Sequence, residues 1–362
     1  MMDANSAIKR KYEQDVNQIV QVIGKSLDDF LISIVLYGSY GRGEGAYYSK
    51  NENIHVYNDY DILLIVKKPI PEAQIFEAKQ ALLDILDIKF IDISQKNISK
   101  LKRLKPSIFN FDLKYGSSVI WGERNILKHI PEFTPNQLTL KDAEILYFTR
   151  LYTFLGSLGL NGFIDGVRGE EARFFRNQMA KAILAIVDVL LLQKNSYHTS
   201  YCERADRFEK LYPHKKKLVE LSRWALQEKL TPKALAMNPK ETKDFHTQVL
   251  CFYHKEMFIA LSKLHGRKIL TTDDLRKTNA YSPQNLLVML KTLILTKTLK
   301  LYWRQKNIQI AQSYAAEFFI AEENRNDIFN KCKAMVIKIA PNLNVENVNS
   351  DSLRDIIVKL SR

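Results

Sequence analysis

Residues 35–45 read "VLYGSYGRGEG", with glycines at 38, 41, 43 and 45 directly after the apolar run "LISIVLY" (31–37). The run is rich in β-branched and aromatic residues and reads as a short strand that stops at the first glycine. Glycine at this density marks backbone that bends sharply or lies close to another group. Fourteen residues after Gly45 the chain continues "DYDILLIV" (59–66), a second apolar run that opens on Asp59 and Asp61. What comes close to the glycines, and whether those carboxylates belong to the same event, decides the reading of this half of the chain.

Two familiar glycine loops fail on context. A Walker loop ends in Gly-Lys-Ser/Thr, whereas Gly45 is followed by Ala46 and Tyr47. A dinucleotide-binding turn opens a helix at once, but "AYYSKNENIHVYND" (46–59) is polar, Asn-rich and a poor helix former. A third arrangement needs a strand, a Gly-Ser turn leading into a short helix whose amides can hold phosphate oxygens, and an acidic pair on the next strand. Side chains alternate along a strand, so Asp59 and Asp61 share one face while Tyr60 and Ile62 take the other. Paired carboxylates repel unless cations sit between them. Mg²⁺ prefers carboxylate and phosphate oxygens, and two such ions would activate a hydroxyl and stabilise a leaving pyrophosphate. A third carboxylate is expected nearby. Asp92 in "KFIDIS" is flanked by Ile91 and Ile93, where burial without a partner is costly. Asp112 in "NFDLKYG" competes for the role, and the alternation in "KFIDIS" favours Asp92.

The surrounding elements complete an α/β unit. Ile8, Tyr12, Val16, Ile19, Val20, Ile23 and Leu27 recur at helical spacing over 6–30. Strands are expected at 61–68, where Pro69 and Pro71 stop the run, at 88–94, and around 117–121. "PEAQIFEAKQALLDILD" (71–87) opens with proline and acid and carries an apolar stripe, which predicts a helix between the second and third strands. After "PEFTPNQLT" helical periodicity takes over, including 282–303. The expected fold class is α+β, a small mixed-sheet domain over 1–130 followed by a largely helical domain over 131–362. No repeat period or low-complexity tract occurs.

"GSYGRGEG" followed by "DYD" and a later strand-borne Asp resembles the polymerase-β-like nucleotidyltransferase superfamily over about the first 125 residues. The resemblance implies that Gly38 and Ser39 form the phosphate-binding turn and that Asp59, Asp61 and Asp92 are the catalytic, metal-binding carboxylates for two Mg²⁺ ions, with Mn²⁺ as a substitute. Arg42 and Gly43 match the Arg-Gly that often follows Gly-Ser in the minimal members. The implied activity moves a nucleoside monophosphate from a nucleoside triphosphate to a hydroxyl acceptor, with pyrophosphate released; RNA, a nucleotide, a protein and a small molecule are all acceptors the family uses. The connector from Ser39 to Asp59 is longer than usual and is expected to hold a loop or short hairpin of its own. A catalytically inactive nucleotide- or RNA-binding module that keeps the fold is the alternative; the intact carboxylate set argues against it.

The helical half of such proteins usually closes over the nucleotide. In "RGEEARFFRNQMAKAILAIVDVLLLQ", Arg173, Asn177 and Lys181 follow one another at four-residue spacing on one face, which suits a triphosphate or a solvated stripe. Tyr197 and Tyr201 in "NSYHTSYCERADRF" are candidates for base stacking or for the core. The net charge of +14 is uneven: 20 of the 54 Lys and Arg and 19 of the 40 Asp and Glu lie in 1–150, so nearly all the excess is in the rest. That balance fits a polyanionic partner, RNA or nucleotide phosphate, or a solvated basic surface. His246 and His254 lie eight apart, and no HExxH, Cys/His group or GxSxG elbow is present. With 46% hydrophobic residues, a start ("MMDANSAIKRKYEQD") lacking a signal-peptide run, no membrane-length apolar stretch and three scattered cysteines, the expectation is a globular cytoplasmic protein.

Overall fold

The computed structural model describes residues 4–50, 53–57, 59–86, 88, 90–157, 162–281, 300–321, 323–341, 343, 345 and 348–361. Among them the strands are β1 (Leu31–Tyr37), β2 (Tyr47–Lys50), β3 (Asn53–Val56), β4 (Tyr60–Val66), β5 (Ile91–Asn97) and β6 (Ser118–Gly122). The α-helices are α1 (Ala4–Leu27), α2 (Gly38–Gly41), α3 (Glu72–Leu86), α4 (Ile98–Leu101), α5 (Ile108–Tyr115), α6 (Lys141–Leu155), α7 (Gly162–Asp165), α8 (Gly169–Leu192), α9 (Tyr201–Leu211), α10 (Lys216–Leu230), α11 (Pro239–His265), α12 (Thr272–Tyr281), α13 (Lys300–Ile320), α14 (Arg325–Ile339) and α15 (Ser350–Ser361). The fold is mixed α+β: one four-stranded mixed sheet, a two-stranded hairpin and a mostly helical remainder. The helix expected over 282–303 falls outside the described residues except where α13 begins.

Contacts divide the chain into two compact units. The first comprises 1–138 with 195–207 and 226–232; the second comprises 139–194, 208–225 and 233–362. The sequence reading draws a single boundary near 130, because periodicity along the chain does not register a segment that returns to pack on an earlier unit.

In the first unit the sheet order is β5-β4-β1-β6. Strand β1 runs antiparallel to both neighbours, and β4 and β5 are parallel. A parallel pair needs a crossover, which α3 supplies between β4 and β5. The inner strands β1 and β4 are apolar on both faces, so Ile34, Val35, Leu36, Leu64 and Ile65 are fully buried. Helix α1 adds Ile19, Ile23 and Leu27 to this core, and α3 adds Ile75, Ala78, Leu82 and Leu86. Both sets follow the three- and four-residue steps that put side chains on one helix face. The long connector after Ser39 contains the hairpin β2–β3, in register from Tyr47 opposite Val56 to Lys50 opposite Asn53.

The second unit is built around α8, which is apolar around most of its circumference and buried from Met179 to Ala180 and from Ala182 to Leu192. Tyr147 on α6 and Tyr253 on α11 stack with ring centres 5.8 Å apart. The Tyr253 hydroxyl donates to the Tyr147 carbonyl at 2.7 Å, and the Tyr147 hydroxyl shares a hydrogen bond with Ser313 Oγ at 3.1 Å. Buried hydroxyls are thus satisfied inside an aromatic core.

Candidate functional site

The glycine stretch turns at the end of β1, and the group that meets its first glycine belongs to the acidic pair. Gly38 has φ +68°, and a Cβ added there would stand 1.9 Å from Asp61 Oδ2. Both the left-handed backbone and the carboxylate against Cα require glycine. The register explains the meeting: Tyr37, the last residue of β1, lies opposite Asp61 on β4. Gly45 serves an internal packing need, since a Cβ there would lie 2.0 Å from the Tyr40 ring. Tyr40 is buried, with its hydroxyl donating to the Ala46 carbonyl at 2.5 Å. Ser39 follows Gly38 in the single helical turn α2 and is itself buried.

Asp92 on β5 lies directly opposite Asp61 in the parallel register. Neighbouring strands are about 4.8 Å apart, so the two carboxylates leave adjacent backbones. Asp59, two residues before Asp61, is half-buried just ahead of β4. Tyr60 between them is fully buried, its ring 4.6 Å from Tyr40 and its hydroxyl donating to Asp15 at 2.9 Å. The Tyr37 hydroxyl donates to Asp92 Oδ2 at 3.0 Å. Burial, then the nearby Asp92 and Asp61 carboxylates, push the Tyr37 hydroxyl well above the ordinary tyrosine pKa, so it remains a donor at neutral pH.

Among the described residues no group of three or more His, Cys, Asp or Glu side chains is gathered in an arrangement ready to hold a metal ion. The fit to Mg²⁺ therefore rests on donor chemistry and placement. Asp61 and Asp92 are hard oxygen donors on adjacent strands, and Gly38 leaves the space beside Asp61 clear of a side chain. No family model matches this chain, and no curated protein matches it.

Arg42 is drawn into a second, buried polar group. Its Nε donates to Glu44 Oε2 at 3.1 Å, its Nη1 lies 3.6 Å from Asp112 Oδ2, and its guanidinium stands 4.6 Å over the Tyr201 ring. Glu44 in turn accepts from Ser200 Oγ at 2.7 Å and from the Tyr201 amide at 2.8 Å, so it caps the first turn of α9. Asp112 accepts from the Tyr197 hydroxyl at 3.0 Å. Arg204, almost wholly buried, lies over the rings of Tyr197 and Tyr201 and donates to the Thr199 carbonyl at 3.2 Å. The "RGE" of the glycine stretch thus holds the returning segment 195–207. Tyr197 is fully buried and has no exposed face for a base; Tyr201 is half-buried under two guanidiniums.

This placement separates the two competing acids: Asp92 stands beside Asp61, and Asp112 belongs to the Arg42 group. Arg173, Asn177 and Lys181 lie on α8 of the second unit, where Arg173 pairs with Glu170, Asn177 is buried and Lys181 is half-buried. Sequence reasoning missed Tyr37, Glu44, Ser200 and Arg204. Ser200 had a usable signal, since Ser-x-x-Glu over 200–203 marks a helix start. Glu44 had none for its role as a cap of α9, because Ser200 and the Tyr201 amide lie over 150 residues away.

Proposed function

We propose that the first unit is a divalent-metal-dependent nucleotidyltransferase that moves a nucleoside monophosphate from a nucleoside triphosphate to a hydroxyl acceptor. The observation that carries the reading is the contact of Asp61 with the Gly38 turn, in register with Asp92 on the next strand. It sets Gly38 of the glycine stretch against one carboxylate of the acidic pair, with Asp92 opposite on β5. Asp59 and Asp61 would hold Mg²⁺, or Mn²⁺, with Asp92 completing the set. When bound, the ions supply positive charge to the reacting phosphate and acidify the attacking hydroxyl. In this reading Asp92, one oxygen of which accepts from the Tyr37 hydroxyl, would take that proton, and Ser39 with the neighbouring amides would hold the phosphates. RNA or nucleotide acceptors are favoured by the basic balance beyond residue 150. The three cysteines, present as thiols, support a cytoplasmic setting. Among the described residues no helix is long and apolar enough to cross a membrane.

The test incubates the protein with each labelled nucleoside triphosphate, Mg²⁺ or Mn²⁺, and three acceptor pools: RNA, free nucleotides and the protein alone. Pyrophosphate release should fall by about 100-fold or more in Asp59→Asn/Asp61→Asn, which keeps the side-chain shapes but removes the charge. Release no greater than that of the variant, with every pool, overturns the reading in favour of a binding module.

A further inference from the structure

Between Asp92 and Asp112 the chain carries five cations, Lys96, Lys100, Lys102, Arg103 and Lys105, and no acidic residue. Every residue of this stretch is among the described ones; Lys96 is half-buried and the other four cations are exposed. Among the described residues none of the five is in an ion pair, so their charge faces solvent or a ligand. The stretch leaves the candidate site and returns to it. Asp92 and Lys96 share one face of β5, the edge strand of the sheet, by two-residue alternation. The chain then turns through α4 and enters α5, where the Phe109 ring stands edge-on to Tyr37 with centres 5.6 Å apart. Tyr37 is the residue whose hydroxyl donates to Asp92. Phe109 is nonetheless 47% exposed.

The backbone that presents these cations is fixed by its own side chains. Asn97 Oδ1 accepts from the Ser99 amide at 2.9 Å, and Asn97 Nδ2 donates to the Lys67 carbonyl at 2.7 Å. Leu101 is fully buried and pins α4, and the Arg103 amide closes the next turn on the Lys100 carbonyl at 3.2 Å. Asn110 Nδ2 donates to the Lys105 carbonyl at 2.8 Å, while its amide donates to Ser107 Oγ at 3.1 Å. A ligand therefore orders only side chains, which lowers the cost of binding. Closely spaced cations with no carboxylate among them suit repeated phosphates, and an exposed ring at the end of the row suits an unstacked base. Charge also sets the direction. Phosphates are repelled from Asp61 and Asp92, whereas the neutral terminal hydroxyl of a strand can approach them. A lipid surface is a poorer fit, because Phe109 is the one large apolar side chain exposed in the stretch.

We propose that the basic stretch from Lys96 to Lys105 binds the backbone of a single-stranded polynucleotide and that Phe109 stacks on its terminal base. The binding surface stands on its own residues. That the strand's terminal hydroxyl is the acceptor at Asp92 rests on the nucleotidyltransferase reading.

The test follows the fluorescence anisotropy of an end-labelled single-stranded RNA, and separately of a DNA of the same sequence, titrated with the full chain. EDTA is present and removes the divalent ions on which the carboxylate site would depend. The expected result is saturable binding of at least one strand, tighter than that of its duplex, with log affinity falling linearly with log salt. Lys102→Ala/Arg103→Ala should weaken binding about tenfold or more and make the salt slope shallower by about one unit or more. Phe109→Ala should weaken it about tenfold with the slope unchanged. Thermal melts show that the variants remain folded, and Lys100→Ala/Lys105→Ala replaces the first variant if it does not. Three results overturn the proposal: no saturable binding of either strand, a duplex bound as tightly, or losses no larger than those from Lys216→Ala/Lys240→Ala, two exposed lysines on α10 and α11. Capture by phosphatidylserine vesicles without strand binding also overturns it and assigns the stretch to a lipid surface. No step of this titration uses catalysis, so it and the pyrophosphate-release assay fail independently.

Discussion

The contact between Gly38 and Asp61 predicts a measurable energetic coupling. Gly38→Ala puts a methyl-bearing residue at φ +68° and a Cβ 1.9 Å from Asp61 Oδ2 and 2.9 Å from its Cγ. Gly43 is a natural comparison, because its φ is +74° and nothing lies within 4 Å of an added Cβ. Gly43→Ala should therefore lose only the left-handed backbone term, about 1–2 kcal/mol. Gly38→Ala should lose that plus about 1–3 kcal/mol for overpacking, or about 2–5 kcal/mol in total. Asp61→Ala removes the colliding atoms and leaves only the Asp61 Cβ, 3.3 Å away, so the double variant should recover most of the second term. Urea unfolding can be followed through Trp121 on β6, which pairs with Ile34 on β1, in a Trp224→Phe/Trp303→Phe background that silences the other two tryptophans. A Gly38→Ala loss within about 0.5 kcal/mol of Gly43→Ala, or a coupling to Asp61→Ala below that size, would refute the steric argument.

Three further outcomes are expected. Glu44→Ala removes the acceptor shared by Arg42, Ser200 and the Tyr201 amide and leaves a buried guanidinium short of a partner, so the first unit should lose about 3 kcal/mol. Hydrogen exchange over 195–207 should accelerate in the same variant, and unchanged exchange there would contradict the tether. His246 and His254 are buried neutral on α11, their pKa values pushed by desolvation to about 3 and about 4 from an ordinary 6.5. The unfolded chain binds those protons first as pH falls below 6.5, so stability is full above that pH and declines beneath it. By about pH 5 the loss is about 2 kcal/mol for each histidine. Urea titrations at several pH values, read through Trp224, should show this slope flattened in His246→Leu/His254→Leu, and an equal slope in both proteins would rule it out. Asn238→Ala breaks the reciprocal cap in which Asn238 Oδ1 accepts from the Glu241 amide at 2.9 Å, ahead of Pro239. It should cost about 1 kcal/mol of second-unit stability by the same titration.

The elements that carry the candidate carboxylates were legible because each rests on a short-range rule. β-rich apolar runs ending in glycine or proline mark β1 and β4, an acidic, Pro-led amphipathic segment marks α3, and two-residue alternation sets Asp59 and Asp61 apart from Tyr60. The mixed α+β class follows from the change of period along the chain. Local pattern also narrowed the connector after Ser39 to a loop or a hairpin, and the ladder between β2 and β3 shows which.

Arg42, Tyr197 and Tyr201 show where such rules stop. Each residue type suits a nucleotide, but a guanidinium or an aromatic ring is equally suited to a buried partner. Only the fold brings Glu44, Asp112 and the segment 195–207 within hydrogen-bonding reach of them. Where Asp92 and Asp112 lie was likewise decided by the fold, since Asp92 comes opposite Asp61 only through hydrogen bonds between two strands separated in sequence by a helix, and Asp112 comes within 3.6 Å of Arg42. Sequence by itself determined the kinds of element and the chemistry available on them, because backbone preference and side-chain period act over a few residues. Tertiary structure decided which charges meet, because desolvation and hydrogen bonding depend on distances that the chain closes only when it is packed.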